Sequence, residues 1–209
     1  MENKDINIEE YLDGIVNNTY LTEIVEEYDK NKTANNFKTL CEVLSYRNLY
    51  LGMNIVLLDK KKAKKFKKDN QIDISLLQED MIIKEYIKYE GLRGENKKIF
   101  LAVYTEPKKV LLSDSQVNTI VNTDFNKMMD EILCKEECDG IIINPSDQSI
   151  IIQKQYLQLI YNKKFDILHK ISRMFEITER IKVLDEEEEN EEFDILMEEL
   201  CSLLQEFQK

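Results

Sequence analysis

Four side chains stand where this chain has a place for chemistry. Tyr104, Thr105 and Glu106 close one apolar run, and Asn144 closes another. If residues 99–105 and 140–144 are strands joined by a crossover, these four meet at one edge of a sheet. Strand C-termini in such units often form a ligand crevice. No nucleophile–base pair accompanies them, so no catalytic residue is assigned. A structural reading stands beside the ligand-binding one: Thr and Asn tie up the backbone groups of turns. Asn144 also precedes Pro145, which restricts it to extended backbone and accounts for its residue type.

Two further clusters invite a chemical reading. Seven of the nine residues from 60 to 68 are lysine, among them Lys61, Lys62, Lys64 and Lys65. Such a run can engage phosphate, an acidic protein face or anionic lipid, and it can equally be a self-repelling, solvated loop. Only Phe66 interleaves it, which does not support nucleic acid. Of Cys41, Cys134, Cys138 and Cys201, only Cys134 and Cys138 are close in sequence, and the one histidine, His169, lies in another element. A structural zinc site wants two paired knuckles, so no metal is expected, and no cofactor either. A redox pair would want CxxC at a helix N-terminus, which this is not. Reduced, packed cysteines fit a cytoplasmic protein. His169, beside Leu168 and Ile171 on a helix, has no obvious partner and reads as a boundary residue and not as a catalyst.

Composition bounds the rest. The chain has 209 residues, 43% hydrophobic and 33% charged, enough to bury a core. With 29 basic against 41 acidic side chains the net charge is −12, which repels phosphate backbones and argues against nucleic-acid binding. The same acidity confers solubility and can complement a basic partner. No apolar run approaches a membrane span, so no membrane insertion is expected. The opening MENKDINIEE has neither a basic nor an apolar segment of a signal peptide.

The elements that would position these residues follow from periodicity. Ile8, Tyr11, Leu12, Ile15 and Val16 form one helical stripe, and Leu21, Ile24, Val25 and Tyr28 another. Thr33 can cap a third helix with Phe37, Leu40, Cys41 and Leu44 on its apolar face. Residues 55–58 are a short strand-length run. Residues 81–89 alternate as a strand, and 91–96 turn it into 99–105, a central strand apolar on both faces. A helix is expected from Ser113, split near 122–124, where Thr123 or Asp124 can cap its second part. Strand 140–144 then lies parallel to a neighbour after a right-handed crossover, and 149–152 returns antiparallel. Two long helices end the chain as a hairpin around the acidic run 185–192. The stripe from Phe193 to Phe207, with Leu200 and Leu204 at its centre, must be covered. Two covers are open: the preceding helix with the main body, or the same helices of a second copy in a homodimer.

The sequence Phe100-Leu101-Ala102-Val103-Tyr104-Thr105-Glu106, followed by Asp139-Gly140-Ile141-Ile142-Ile143-Asn144-Pro145, resembles the N-terminal domain of the SseB family. That pattern is an aromatic-Thr-acidic strand end, a helix, a DG-apolar-NP strand turn and a closing apolar strand. A helix leading into an apolar strand, as in 37–58, also matches. The resemblance spans roughly 37–160 and implies a non-enzymatic bacterial cytoplasmic protein with a binding or regulatory role. The lysine-rich insertion and the two-helix tail depart from the pattern.

The expected fold is α+β: N-terminal helices, a mixed sheet of about five strands with a crossover helix, and a C-terminal helical hairpin. The expected division is an α+β domain over 1–161 with a hairpin appendage over 162–209. The expected function is a protein-interaction or regulatory module with a protein partner. The alternative is an acidic inhibitor or immunity-type protein that neutralises a basic toxin or enzyme.

Overall fold

Amphipathic helices from both ends of the chain bury their stripes against one another, and the strands lie between them in sequence. The computed structural model describes residues 18–57, 67–68, 71–72, 82–86, 88–93, 96–113, 117, 119–133, 138–184 and 191–207. It is an α+β protein of two units: a helical unit, Met1–Arg47 with Lys154–Lys209, and a sheet unit, Asn48–Gln153. The first stripe, Ile8 to Val16, lies outside the described residues.

In the helical unit, α1 (Thr19–Lys30) buries Leu21 and Val25, and α2 (Ala34–Leu44) buries Leu40, Cys41 and Leu44. Thr33 starts α2 as its pattern predicts, its Oγ1 accepting from the Asn36 amide at 3.2 Å. Tyr28 and Phe37 hold the two helices together, with ring centroids 5.4 Å apart. After α5 (Lys154–Tyr161) the helical pattern breaks at Lys163, whose φ is +55°, and restarts as α6 (Phe165–Leu184). Helix α7 (Glu191–Phe207) packs back on α6 as the expected hairpin. Ile177, Leu184 and Leu196 form its core, flanked by Ile181, Phe193, Leu200 and Leu203. Arg173 grips Glu199 through two 2.8 Å bonds, Arg180 grips Glu192 at 2.9 Å, and Lys170 pairs with Glu206. The three glutamates recur every seven residues, as along the flank of an antiparallel coiled-coil seam.

Helix α2 finds its cover far along the chain, across the 161/162 division expected from the sequence. Helix α2 packs on α6, and polar bonds join them: the Ala34 amide donates to Glu176 Oε2 at 3.0 Å, and Lys38 Nζ to Asp166 at 2.8 Å. An amphipathic stripe must be buried by something, and neighbours in sequence have no priority over a matching face far along the chain.

In the sheet unit, β1 (Asn48–Leu57) is the middle strand of an antiparallel sheet, between β4 (Ile82–Tyr86) and β7 (Thr119–Asp124). A two-residue ribbon joins β2 (Lys67–Lys68) to β3 (Gln71–Ile72). The mixed sheet runs β5 (Lys88–Arg93), β6 (Asn96–Val103), β8 (Gly140–Ile143), β9 (Ile150–Gln153). As expected, β6 and β8 are parallel, in register from Phe100↔Gly140 to Val103↔Ile143, and β9 returns antiparallel. Leu101, Ala102, Val103, Ile141 and Ile143 are buried, as the two-faced apolar pattern requires. Gly140 is obligatory for this ladder: a Cβ there would stand 2.2 Å from the Ile152 carbonyl oxygen. Tyr50 and Tyr104 exchange both backbone bonds, at 2.9 and 2.8 Å, and so tie β1 to the end of β6.

Three expectations are corrected. The strands form two main sheets instead of one sheet of about five. The run 81–89 is shared between them, β4 pairing with β1 and β5 with β6. Beyond Ser113, where a helix was expected, the chain forms β7. Helix α3 (Pro107–Ser113) instead starts at the proline, which suits a first helical position. Thr119, Ile120, Val121 and Thr123 are β-branched, and β1 supplies their long-range partner. Asp124 does cap α4 (Phe125–Leu133), its Oδ1 accepting from the Lys127 amide at 3.0 Å.

Candidate functional site

At the C-terminal edge of β6 and β8, Thr105 and Asn144 meet. The Thr105 amide donates to Asn144 Oδ1 at 3.1 Å, and Asn144 Nδ2 donates to Thr105 Oγ1 at 3.3 Å and to Gln148 Oε1 at 2.8 Å. The Asn144 amide donates to the Val103 carbonyl, and its own carbonyl accepts from the amides of Asp147 and Ser149. Both residues are buried. Asn144 is not extended: its φ is +47°. The extended preference before proline yields because asparagine tolerates the left-handed region and its side chain bonds the turn there. Tyr104 is buried in the core, bridged through its backbone to Tyr50. The Glu106 carboxylate pairs with Lys108 at 2.8 Å. Of the four sequence candidates, Thr105 and Asn144 meet and bond each other, Tyr104 lies in the core and Glu106 is held by Lys108.

The other end of the same ladder is closed the same way. The Asp139 amide donates to the Ile99 carbonyl at 2.7 Å, and Asp139 Oδ2 accepts from the Ile99 amide at 2.8 Å. Asp139 and Asn144 thus staple the two ends of β8 to β6. Beside them Lys109 Nζ donates to Asp147 at 2.7 Å and to Gln148 at 3.2 Å, and that bond holds the Asp147 carboxyl below its ordinary value. Among the described residues, every buried side-chain polar atom has a partner.

The remaining candidates are dispersed. Lys61, Lys62, Lys64 and Lys65 lie outside the described residues, as does Cys134. Cys138 is a buried free thiol donating to the Gly140 carbonyl at 3.2 Å. Burial, with Glu42 adding to it, pushes the Cys41 thiol far above the ordinary thiol range, which makes it unreactive. His169 does have a partner, its Nε2 lying 2.9 Å from Asn35 Oδ1. No group of three or more His, Cys, Asp or Glu side chains among the described residues could hold a metal ion. No described helix is long and apolar enough to cross a membrane. Leu200 is half-buried against the hairpin core, whereas Leu204 is 43% exposed.

The site that sequence reasoning missed lies within the helical unit. Gln155, Tyr156 and Leu159 of α5, Ile171, Met174, Phe175 and Thr178 of α6, and Phe207 of α7 line an apolar groove of about 590 Å³. Phe175 is 60% and Phe207 45% exposed, so the groove is open to water. Its signal was present. Tyr156, Ile171, Met174, Phe175 and Phe207 all belong to the apolar patterns of the last three helices. On α6 the apolar residues cover too wide an arc for one neighbour: Ile177, Ile181 and Leu184 face α7, and Ile171, Met174 and Phe175 face the groove. A helical period by itself does not separate the two faces.

No protein-family model, curated protein or solved structure matches this chain.

Proposed function

We propose that this chain is a non-enzymatic, SseB-like protein-interaction or regulatory module of the cytoplasm, and that the groove of α5, α6 and α7 is its docking surface. The observation that carries the reading is the open apolar lining. Phe175 and Phe207 leave large side chains in water within that lining, and exposed apolar surface gathered in one place marks interaction sites. The groove offers few polar groups to orient a reacting substrate. The side chains of Thr105 and Asn144 bond each other, and Asn144 also bonds the Thr105 amide and Gln148.

A photo-crosslinking amino acid at position 175, with Lys127 as an exposed control site, tests this. The expected result is one protein adduct at 175 that is absent at 127. The purified partner should then bind the native chain and lose affinity for Phe175→Ser. Absence of any adduct, or equal adducts at both sites, would sink the proposal. The alternative of an inhibitor that neutralises a basic toxin or enzyme draws on the net charge of −12. A toxin gene beside this one would favour it.

A further inference from the structure

We propose that Tyr20, Tyr46, Arg47 and Lys163, all in the helical unit, form a docking surface for an acidic segment of another protein. This surface shares no residue with the groove, so the two readings stand or fall separately. The first ground is where two cations are placed. Lys38, Lys170, Arg173, Arg180 and Lys182 each hold a carboxylate of their own chain. Among the described residues, Arg47 and Lys163 hold none. The Arg47 guanidinium lies over the Tyr20 ring, 5.8 Å from its centroid. Lys163 Nζ lies 4.5 Å from the centroid of the Tyr46 ring and donates to Tyr46 Oη at 3.3 Å. A ring face orients a cation without cancelling its charge, so both charges stay available to an incoming anion. Tyr46 and Arg47 are consecutive, which makes the two pairs neighbours.

The second ground is the backbone beneath Lys163. Helix α5 ends with the Lys164 amide donating to the Leu159 carbonyl at 2.8 Å and the Lys163 amide to the Ile160 carbonyl at 2.9 Å. That bond pair closes a helix by putting the residue after the cap in the left-handed region, where glycine is the usual occupant. Here the residue is Lys163, with φ +55°. Its Cβ bears a steric cost that glycine would avoid. A basic side chain does suit the negative end of a helix, but the last turn itself would supply that benefit. What this position gives is an ammonium resting on Tyr46.

The partner follows from exposure and charge. Tyr46 is 67% and Tyr20 48% exposed, so the rings enclose nothing and a small anion bound there would stay wet. A protein segment can cover both rings while its carboxylates meet Arg47 and Lys163, and tyrosine and arginine are the residues that dominate such contacts. A nucleic acid would meet a chain of net charge −12. A second copy docked by two-fold symmetry would set the same cations against each other.

The probe is a fluorescent decapeptide of alternating leucine and glutamate, titrated into the full chain. The controls are the same peptide with lysine for glutamate, and an oligothymidylate. Saturable binding of the acidic peptide is expected, with both controls at least about tenfold weaker. Carbodiimide, which joins an amine to a carboxylate in contact with it, should link the peptide to Lys163. Lys163→Gly should weaken binding about fivefold without lowering the melting temperature, because glycine suits the left-handed turn. Arg47→Ala and Tyr46→Ala should weaken binding to a similar extent. Replacing Lys61, Lys62, Lys64 and Lys65 together by glutamine should leave the Lys163 adduct in place.

No saturable binding, or binding unchanged by Lys163→Gly and Arg47→Ala, overturns the proposal. Adducts confined to residues 60–68 would move the anion site to the lysine run, with the same consequence. Tighter binding of oligothymidylate that Tyr46→Ala weakens would make this a nucleic-acid surface instead. Self-association in sedimentation that Tyr46→Ala dissolves would assign it to a second copy and equally overturn the proposal.

Discussion

Asn144 shows how much one side chain carries when its backbone takes the left-handed region. Its Oδ1 replaces a missing ladder partner for the buried Thr105 amide, while its φ of +47° closes the turn into Pro145. Asn144→Ala removes the acceptor and places a Cβ-bearing residue without local hydrogen bonds in that conformation. The expected loss is about 2–4 kcal/mol by urea unfolding, from an unsatisfied buried donor and the backbone cost together. Asn144→Gly should recover about 1 kcal/mol of this, because only the backbone share is relieved. Equal losses for the two variants would show that φ contributes nothing. Gly140→Ala probes the other strand end, where the new methyl collides with the Ile152 carbonyl oxygen at 2.2 Å. It should lower stability by several times the ordinary glycine-to-alanine difference and detach β9. The Asp-Gly and Asn-Pro steps were legible as turn and strand-end chemistry. Their mutual bonds to Ile99 and Thr105, some forty residues away, were not, since a periodic pattern does not say which backbone amide lacks a partner.

The hairpin of α6 and α7 distinguishes residues that look equivalent on a helical wheel. Leu200 lies against Ile177, Leu184 and Leu196, whereas Leu204 lies toward solvent. Leu200→Asp should release α7, with a loss of helical circular dichroism. Leu204→Asp should leave the fold intact. A folded Leu200→Asp variant would mean that the hairpin core is not formed by this stripe. The ion pairs along the flank add a pH dependence whose direction is set by Glu199. Its bonds to Arg173 hold the carboxyl below its ordinary value against an opposing effect of burial. A carboxyl depressed in the folded state stabilises above its unfolded pKa, about 4.3, and that contribution is lost as the pH falls through the folded value. Stability should therefore be level from neutral pH to about 5 and decline below it. Glu199→Gln should flatten part of the decline. At neutral pH it should cost only about 0.5–1 kcal/mol, because solvent screens a partly exposed pair.

At the scale of the whole molecule, the two chain ends make one helical unit and the middle makes the sheet unit. A fragment of residues 1–161 would leave α2 without α6, losing the bonds of Ala34 to Glu176 and Lys38 to Asp166. It should bind a dye for exposed apolar surface and lose helical signal from its N-terminal part. Native-like helicity and no dye binding would restore the boundary at 161. The net charge of −12 gives a second expectation. Raising sodium chloride from low to physiological strength should raise the melting temperature, since screening relieves self-repulsion within about 8–10 Å.

Local chemistry alone determined the element types wherever one neighbour decides the pattern: the Thr33 cap, the two-faced apolar strands at 99–105 and 140–144, and the amphipathic last helix. Their parallel pairing followed too, because a strand–helix–strand run leaves few topologies open. The tertiary structure decided everything that depends on a distant face. It made a strand of Thr119–Asp124 because β1 lay ready to pair with it, and it gave α2 to α6. It also tied the Asn144 side chain to the Thr105 amide, and left one apolar face of α6 as an open groove. A sequence specifies how much apolar surface each element must bury, but the three-dimensional packing determines which surface covers it and which remains for another molecule.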